Sequence, residues 1–456
     1  MGEPEHTQKR ARSAQGETDS KMEHDREHEV EERVRLFTDL EWDLAGHSTL
    51  GPHSVNYHHP RPGNKGSVFF MPNRSFLGEG ALHNALQSVK ALGLKKALLV
   101  TDKMLVKSGA VKTLTDVLDK ASIKYSIFHW CDPIPSCAQV ESGLKLVQQE
   151  GCEFIISFGC HAPHNCAKAI GIAFTNGGSI RDYAGADKSR KPMLPLVAVN
   201  TAAGTGAEMD RFCTIKDEHT GQNLDMVDWR LMPALAVNDP TLTVGMPPRL
   251  TAATGMDALT HAIEAYVSTA STPVTDASAL HAIRLISTYL PEAVEDGTNA
   301  KARDMMAHAE FLAAMAFNSA GLGYVHAMSH QIGPAFSLAH GMCNAILLGP
   351  VQEYNAKYVP ALFIDIAHAM GFVEVGQDSG RAVKAVLECI RTLKDKVGIP
   401  KNFQALNANP ADFLRLAEAA MKDACASTNP HQPTKDEVCQ IFHKAYNLDG
   451  VTQSFQ

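Results

Sequence analysis

Three short apolar runs, "KKALLVTD" (residues 95–102), "CEFIISFG" (152–159) and "PLVAVNT" (195–201), each end in a polar turn. Runs of this length bounded by turn residues read as strands buried on both faces. Helical patterns lie between them, such as "VKTLTDVLDKA". Buried strands alternating with helices connect by right-handed crossovers, which predicts a mostly parallel, Rossmann-like sheet covered by helices. This texture occupies residues 67–240 and defines an N-terminal α/β domain.

Beyond "MPALAVNDPTLTVGMPP" the strand signals stop, and Ala-, Leu- and Met-rich helical patterns run nearly to the C-terminus, punctuated by Gly and Pro. Residues 241–456 therefore form an all-helical C-terminal domain, with a ligand cleft expected between the two. Residues 1–66 read as a disordered or extended tail. Their first half has too few apolar positions to offset its ordering entropy, and "HHPRPGNKG" follows like a linker.

A chain of 456 residues that is 45% hydrophobic can bury the cores of two domains. Its formal net charge of −8 argues against nucleic acid or anionic lipid as a partner. No apolar run has the length of a bilayer-spanning helix, and residues 1–35 hold no signal-peptide segment. The 10 cysteines are scattered without CxxC pairs, as suits free thiols in a reducing cytoplasm. A cytoplasmic enzyme of small-molecule chemistry is the expectation.

Two clusters carry chemistry. In "TGMDALTHAIEAY", Asp257 and His261 stand one helical turn apart on a single face. Taken alone, such a pair reads as a hydrogen-bonded Asp and His. "VHAMSHQIGPAFSLAH" repeats the spacing with His326 and His330, then adds His340 after a Gly-Pro break. Histidines in so apolar a setting are costly to bury without partners, and a divalent cation would satisfy them. Three imidazoles and one carboxylate suit Fe²⁺ or Zn²⁺ better than Mg²⁺ or Ca²⁺, and leave room for a substrate oxygen.

The strand-end turns are less specific. Gly159 is followed by Cys160, His161, Ala162 and Asn165, and "NTAAGTGAE" contains Thr201, Ala202 and Thr205. Asp102 closes the strand in "LLVTDK", where it serves either as a helix N-cap or as a carboxylate at the edge of a nucleotide site. His281 and His308 read as solvated or core-satisfied histidines.

Together "LLVTDK", "TNGGSI", "NDPTLT", "LTAATGMDALTHAIEAYVSTAS", "GLGYVHAMSH" and "HGMCNAILL" resemble the iron-containing (group III) alcohol dehydrogenases, nearest to the methanol dehydrogenase-like and lactaldehyde reductase-like branch. The resemblance implies the dehydroquinate synthase-like fold of that family. It implies Asp257, His261, His326 and His340 as metal ligands, and His330 as a proton relay beside them. It places Asp102 against the adenine ribose, favouring NAD over NADP. The implied activity is oxidation of a small primary alcohol or reduction of its aldehyde, with hydride passing from a metal-held alkoxide to nicotinamide, in a homo-oligomer.

The family carries a GGGS-type turn where this chain has Gly159, Cys160, His161 and Ala162, and commonly Asp where it has Asn165. Ile134, Ala202 and Asp210 depart from family text as well. A side chain in a glycine-only conformation costs about 1–2 kcal/mol, so the turn is expected to be a poorer phosphate cradle. The amides at the start of the following helix still attract phosphate, and a charged His161 would add to them. A redox-impaired family member with a structural or metal-binding role is the alternative.

Overall fold

Alternation along the predicted strands decides which layer each side chain enters, and the computed structural model, which describes residues 67–447, shows both layers filled. The tail expected over residues 1–66 lies outside the described residues. The strands are β1 (Arg74–Leu77), β2 (Lys96–Val100), β3 (Lys124–Phe128), β4 (Phe154–Gly159), β5 (Gly185–Ala186), β6 (Leu196–Asn200), β7 (Phe212–Lys216), β8 (Asn223–Val227) and β9 (Leu235–Asn238). Six of them form one parallel sheet in the order β1-β9-β6-β4-β2-β3.

Register sets the two faces. Leu99, Ile156, Val197 and Leu235 stand in one cross-strand row and share a core. Leu98, Ile155 and Leu196, one residue earlier in each strand, enter the opposite core. Helices α1 (Ala81–Ala91) and α3 (Ala110–Ala121) cover the first face through Leu82, Leu86, Leu114 and Leu118. The short α2 (Lys103–Ser108) precedes α3 and buries nothing. Helices α4 (Cys137–Glu150) and α5 (His161–Asn176) cover the second face through Val140, Val147, Ala167 and Ile170. Each such buried side chain contributes about 1.5–3 kcal/mol, so slipping a strand by one residue would forfeit both cores.

A second, three-stranded sheet in the order β5-β8-β7 was not expected from the sequence. Its β7 and β8 pair antiparallel around a turn in which Gly221 takes φ 71°. Both strands are half exposed, so neither shows the continuous apolar run that marks the larger sheet.

From Pro248 onward the described residues form helices and turns: α6 (Pro248–Val267), α7 (Pro273–Glu295), α8 (Ala300–Ala320), α9 (Tyr324–Phe336), α10 (His340–Asn355), α11 (Leu362–Ala369), α12 (Ser379–Lys396), α13 (Phe413–Ala420) and α14 (Lys435–Tyr446). Every residue of α6 from Thr251 to Val267 is buried, as its apolar perimeter requires. Its alanines meet Ala279 and Ala282 of α7 and Ala309, Ala313 and Ala316 of α8 in one core. That core also takes in Ala203, Met209 and Ala236, so it runs without a break from the helices into the ends of the sheet. Among the described residues, no helix is long and apolar enough to cross a membrane.

Candidate active site

Burial of α6 carries Asp257 and His261 into the interior, where they are 2% and 4% exposed. Helix α9 adds His326, also buried, and His340 opens α10 with its side chain 40% exposed. From Asp257 Oδ1, the Nε2 atoms of His340, His326 and His261 lie at 3.7, 3.8 and 4.0 Å. A tetrahedron with metal bonds of about 2.1 Å has edges of roughly 3.4 Å; the ligand atoms of Asp257, His326 and His340 all lie within 4.8 Å of one another, while His261 approaches Asp257 without joining that group.

The outer nitrogens show which way the rings are set. His326 Nδ1 lies 2.6 Å from Glu264 Oε2, and His261 Nδ1 lies 3.2 Å from the Gly204 carbonyl oxygen. The Gly204 carbonyl fixes the His261 ring proton on Nδ1, and Glu264 in its ionised form does the same for His326, leaving the Nε2 lone pairs for the cluster. Burial lowers the His261 pKa to about 4 and drives His326 well below the usual imidazole range, with the neighbouring histidines adding to the effect. His340 is lowered by burial and by His330. Neutral imidazole is the ligand form. Burial pushes the carboxyls up, Glu264 to about 8 and Asp257 in the same direction, so a neighbouring cation would favour their ionised forms.

Asn344 reports the same need. Its amide Nδ2 lies 2.6 Å from Asp257 Oδ1 and 3.1 Å from Nε2 of both His326 and His340. Three acceptors converge on one donor, while Asn344 Oδ1 is buried without a hydrogen-bond partner. A site made of inward-facing acceptors fits a divalent cation.

The strand-end turns meet this cluster. Thr201 N donates to the Gly159 carbonyl at 2.9 Å, and Cys160 Sγ lies 3.6 Å from Thr205 Oγ1. Asn200 Oδ1 accepts from Ala202 N, and the Gly204 carbonyl that holds His261 belongs to the same turn. A Cβ at Gly204 would stand 2.3 Å from the Thr254 carbonyl oxygen on α6, so only glycine permits this approach. Asp102 caps α2 by accepting from Leu105 N at 2.8 Å, at the carboxyl end of β2 beside β4.

The expectation of backbone strain in the altered turn is corrected. Gly159 alone within it has positive φ, at 155°, and a Cβ there would meet Pro163 Cγ at 2.5 Å. Cys160 has φ −112°, and His161 already belongs to α5. The position that demands glycine has kept it. His161 Nε2 lies 3.1 Å from Asn165 Nδ2, and Ala162 packs on the adjoining core. His161 is exposed at the turn, yet desolvation by the surrounding protein and the facing His340, Lys168 and His330 lower its pKa. Burial raises the Cys160 thiol to about 12. Asp210 has its own explanation: its carboxylate and carbonyl hold the buried Lys168 ammonium at 2.5 and 2.9 Å.

His330 stands beside the cluster, its ring stacked on His340 at 5.3 Å between centroids. Its Nδ1 lies 2.9 Å from Asp423 Oδ2. Burial opposes its protonation, yet Asp423 outweighs that and raises the pKa to about 9. Glu264, Asn344 and Asp423 were not identified from the sequence. Glu264 continues the Asp257/His261 face and Asn344 follows His340 by one turn, so helical spacing could have suggested both. An open groove of about 420 Å³ lined by Glu79, Thr241, Arg303 and His308 lies at the carboxyl ends of β1 and β9, and none of the expected site residues lines it.

Residues 72–240 match the iron-containing alcohol dehydrogenase family, and residues 251–446 match the C-terminal part of the Fe-containing alcohol dehydrogenase family. Alcohol dehydrogenase 4 of Schizosaccharomyces pombe is 45% identical over 381 residues, covering 83% of this chain and 89% of that protein. The NAD-dependent methanol dehydrogenase of Bacillus methanolicus is 38% identical, covering 83% of this chain and 99% of its own. The crystal structure of a 1,3-propanediol oxidoreductase superposes with TM-score 0.82 at 43% identity, covering 84% of this chain and 100% of that one. The chain belongs to the iron-containing alcohol dehydrogenase family. It is an oxidoreductase of the NAD-dependent, iron-type alcohol dehydrogenase class.

Proposed function

We propose that this protein is a cytoplasmic, homo-oligomeric dehydrogenase that interconverts small primary alcohols and their aldehydes. Asp257, His261, His326 and His340 hold Fe²⁺, with Zn²⁺ as the alternative that the same donors accept. The convergence of three imidazole Nε2 atoms on Asp257 Oδ1, two of them with their outer nitrogen tied to an acceptor, carries this reading. A bound divalent cation supplies Lewis acidity toward an alcohol oxygen, and NAD supplies the hydride acceptor.

The chain does the rest. Amides at the start of α5 would receive the pyrophosphate, with Gly159, Cys160, His161, Ala162 and Asn165 on one side of the cradle and Thr201, Ala202 and Thr205 on the other. Asp102 faces the adenine ribose and disfavours a 2′-phosphate. His330 relays the hydroxyl proton as the alcohol is oxidised, taking it up in the neutral form that its raised pKa of about 9 makes prevalent at alkaline pH. Residues 67–240 act as the dinucleotide-binding domain and 241–456 as the metal-binding domain.

The test is NADH formation from a series of short primary alcohols after reconstitution with Fe²⁺, Zn²⁺ or Mn²⁺. Turnover is expected with Fe²⁺ and with NAD in preference to NADP. Absence of turnover with every metal would overturn the proposal.

A further inference from the structure

We propose that Asp423 is the positioning residue that fixes the orientation and tautomer of His330. The inference rests on the reading of His330 as a proton relay. Asp423 lies just beyond α13, its side chain 8% exposed, and both of its oxygens are engaged. Oδ1 accepts from the Cys425 amide at 2.9 Å, while Oδ2 faces His330 Nδ1 at 2.9 Å and the Gln331 side-chain amide at 3.4 Å. The Cys425 bond prevents the carboxylate from swinging away from the ring. An ionised carboxylate only accepts, so the proton of a neutral His330 must sit on Nδ1. Nε2, across the ring, is then the unprotonated nitrogen.

Stacking on His340 settles the ring plane, and the edge-on contact with His326, at 6.0 Å between centroids, keeps it beside the metal ligands. Nε2 is therefore the ring nitrogen left to meet the alcohol hydroxyl, while the Asp423 carboxylate stays bound at Nδ1. The sequence did not suggest this pairing because the partners are 93 residues apart.

Asp423→Asn separates positioning from scaffolding. Its amide oxygen can keep the cap on Cys425, and its amide nitrogen then turns a donor toward Nδ1, forcing the ring proton onto Nε2. The expected result is a kcat at least ~100-fold lower, within the range that a positioned acid or base contributes, with KM and metal content unchanged. Histidine side-chain nitrogen shifts of the metal-free protein, recorded at alkaline pH where the His330 ring is neutral, should show it changing from the Nδ1–H to the Nε2–H form. In a His330→Ala background, Asp423→Asn should cost nothing further. Equal losses in both backgrounds, or loss of folding or metal in Asp423→Asn alone, would make Asp423 a structural cap and overturn the inference. If His330→Ala leaves kcat unchanged, the relay reading falls and this inference falls with it. If His330→Ala is slow while Asp423→Asn is not, only the positioning role is lost.

Discussion

Glu264 shows how a residue that does not enter the cluster can set its chemistry. Its Oε2 holds His326 Nδ1 at 2.6 Å and its Oε1 accepts from Val325 N at 2.7 Å, so one carboxylate fixes both the ring and the first turn of the helix that carries it. Glu264→Gln keeps the volume but replaces the carboxyl behind His326 with an amide that cannot ionise. Metal affinity should fall about 10–100-fold, the usual cost of losing such a partner, as read by competition with a chelator. Unchanged affinity would show that His326 is held by packing alone. Helical spacing made the Asp257/His261 and His326/His330 pairs legible as a cluster, while the choice of ligands, with His340 among them, came from the family resemblance. Asp423 was not legible, because nothing local connects it to His330.

At the scale of single elements, the β4–α5 turn is where sequence and structure part. Counting glycines suggested damage, since Cys160 and His161 stand where family text has Gly. The backbone shows that a single residue, Gly159, needs positive φ, and that the next residues already lead into the helix. Gly159→Ala should therefore be the harmful change, lowering stability by about 1–3 kcal/mol through strain, with the contact on Pro163 added to it. By contrast, Cys160→Gly with His161→Gly relieves no strain and places two flexible residues at the start of α5. Thermal melting should show a small loss of stability, with at most a modest change in NAD affinity by calorimetry. A large gain in both would restore the strained-turn account. The parallel strands were readable because burial on both faces leaves continuous apolar runs. The β7–β8 hairpin was not, because its half-exposed strands break that signal.

Across the molecule, the helical core and the sheet ends form one packed body through Ala203, Met209 and Ala236. This continuity lets the Gly204 carbonyl of a strand-end turn orient His261 of α6, so the metal ligands and the dinucleotide turns share one structural frame. The fold was visible in the sequence through its periodicity, and the candidate ligand set through its resemblance to the family. The shared frame was not, because it depends on a carbonyl and on a glycine whose absent Cβ lets the turn touch α6. The central claim is that these elements build a single-cation site next to an NAD cradle. It is tested most directly by iron-edge anomalous diffraction from crystals soaked with Fe²⁺ and NAD. The account predicts one peak per chain, bonded to Asp257, His261, His326 and His340, with the pyrophosphate lying against the turn from Gly159 to Ala162. A peak elsewhere, or dinucleotide density that avoids that turn, would contradict it.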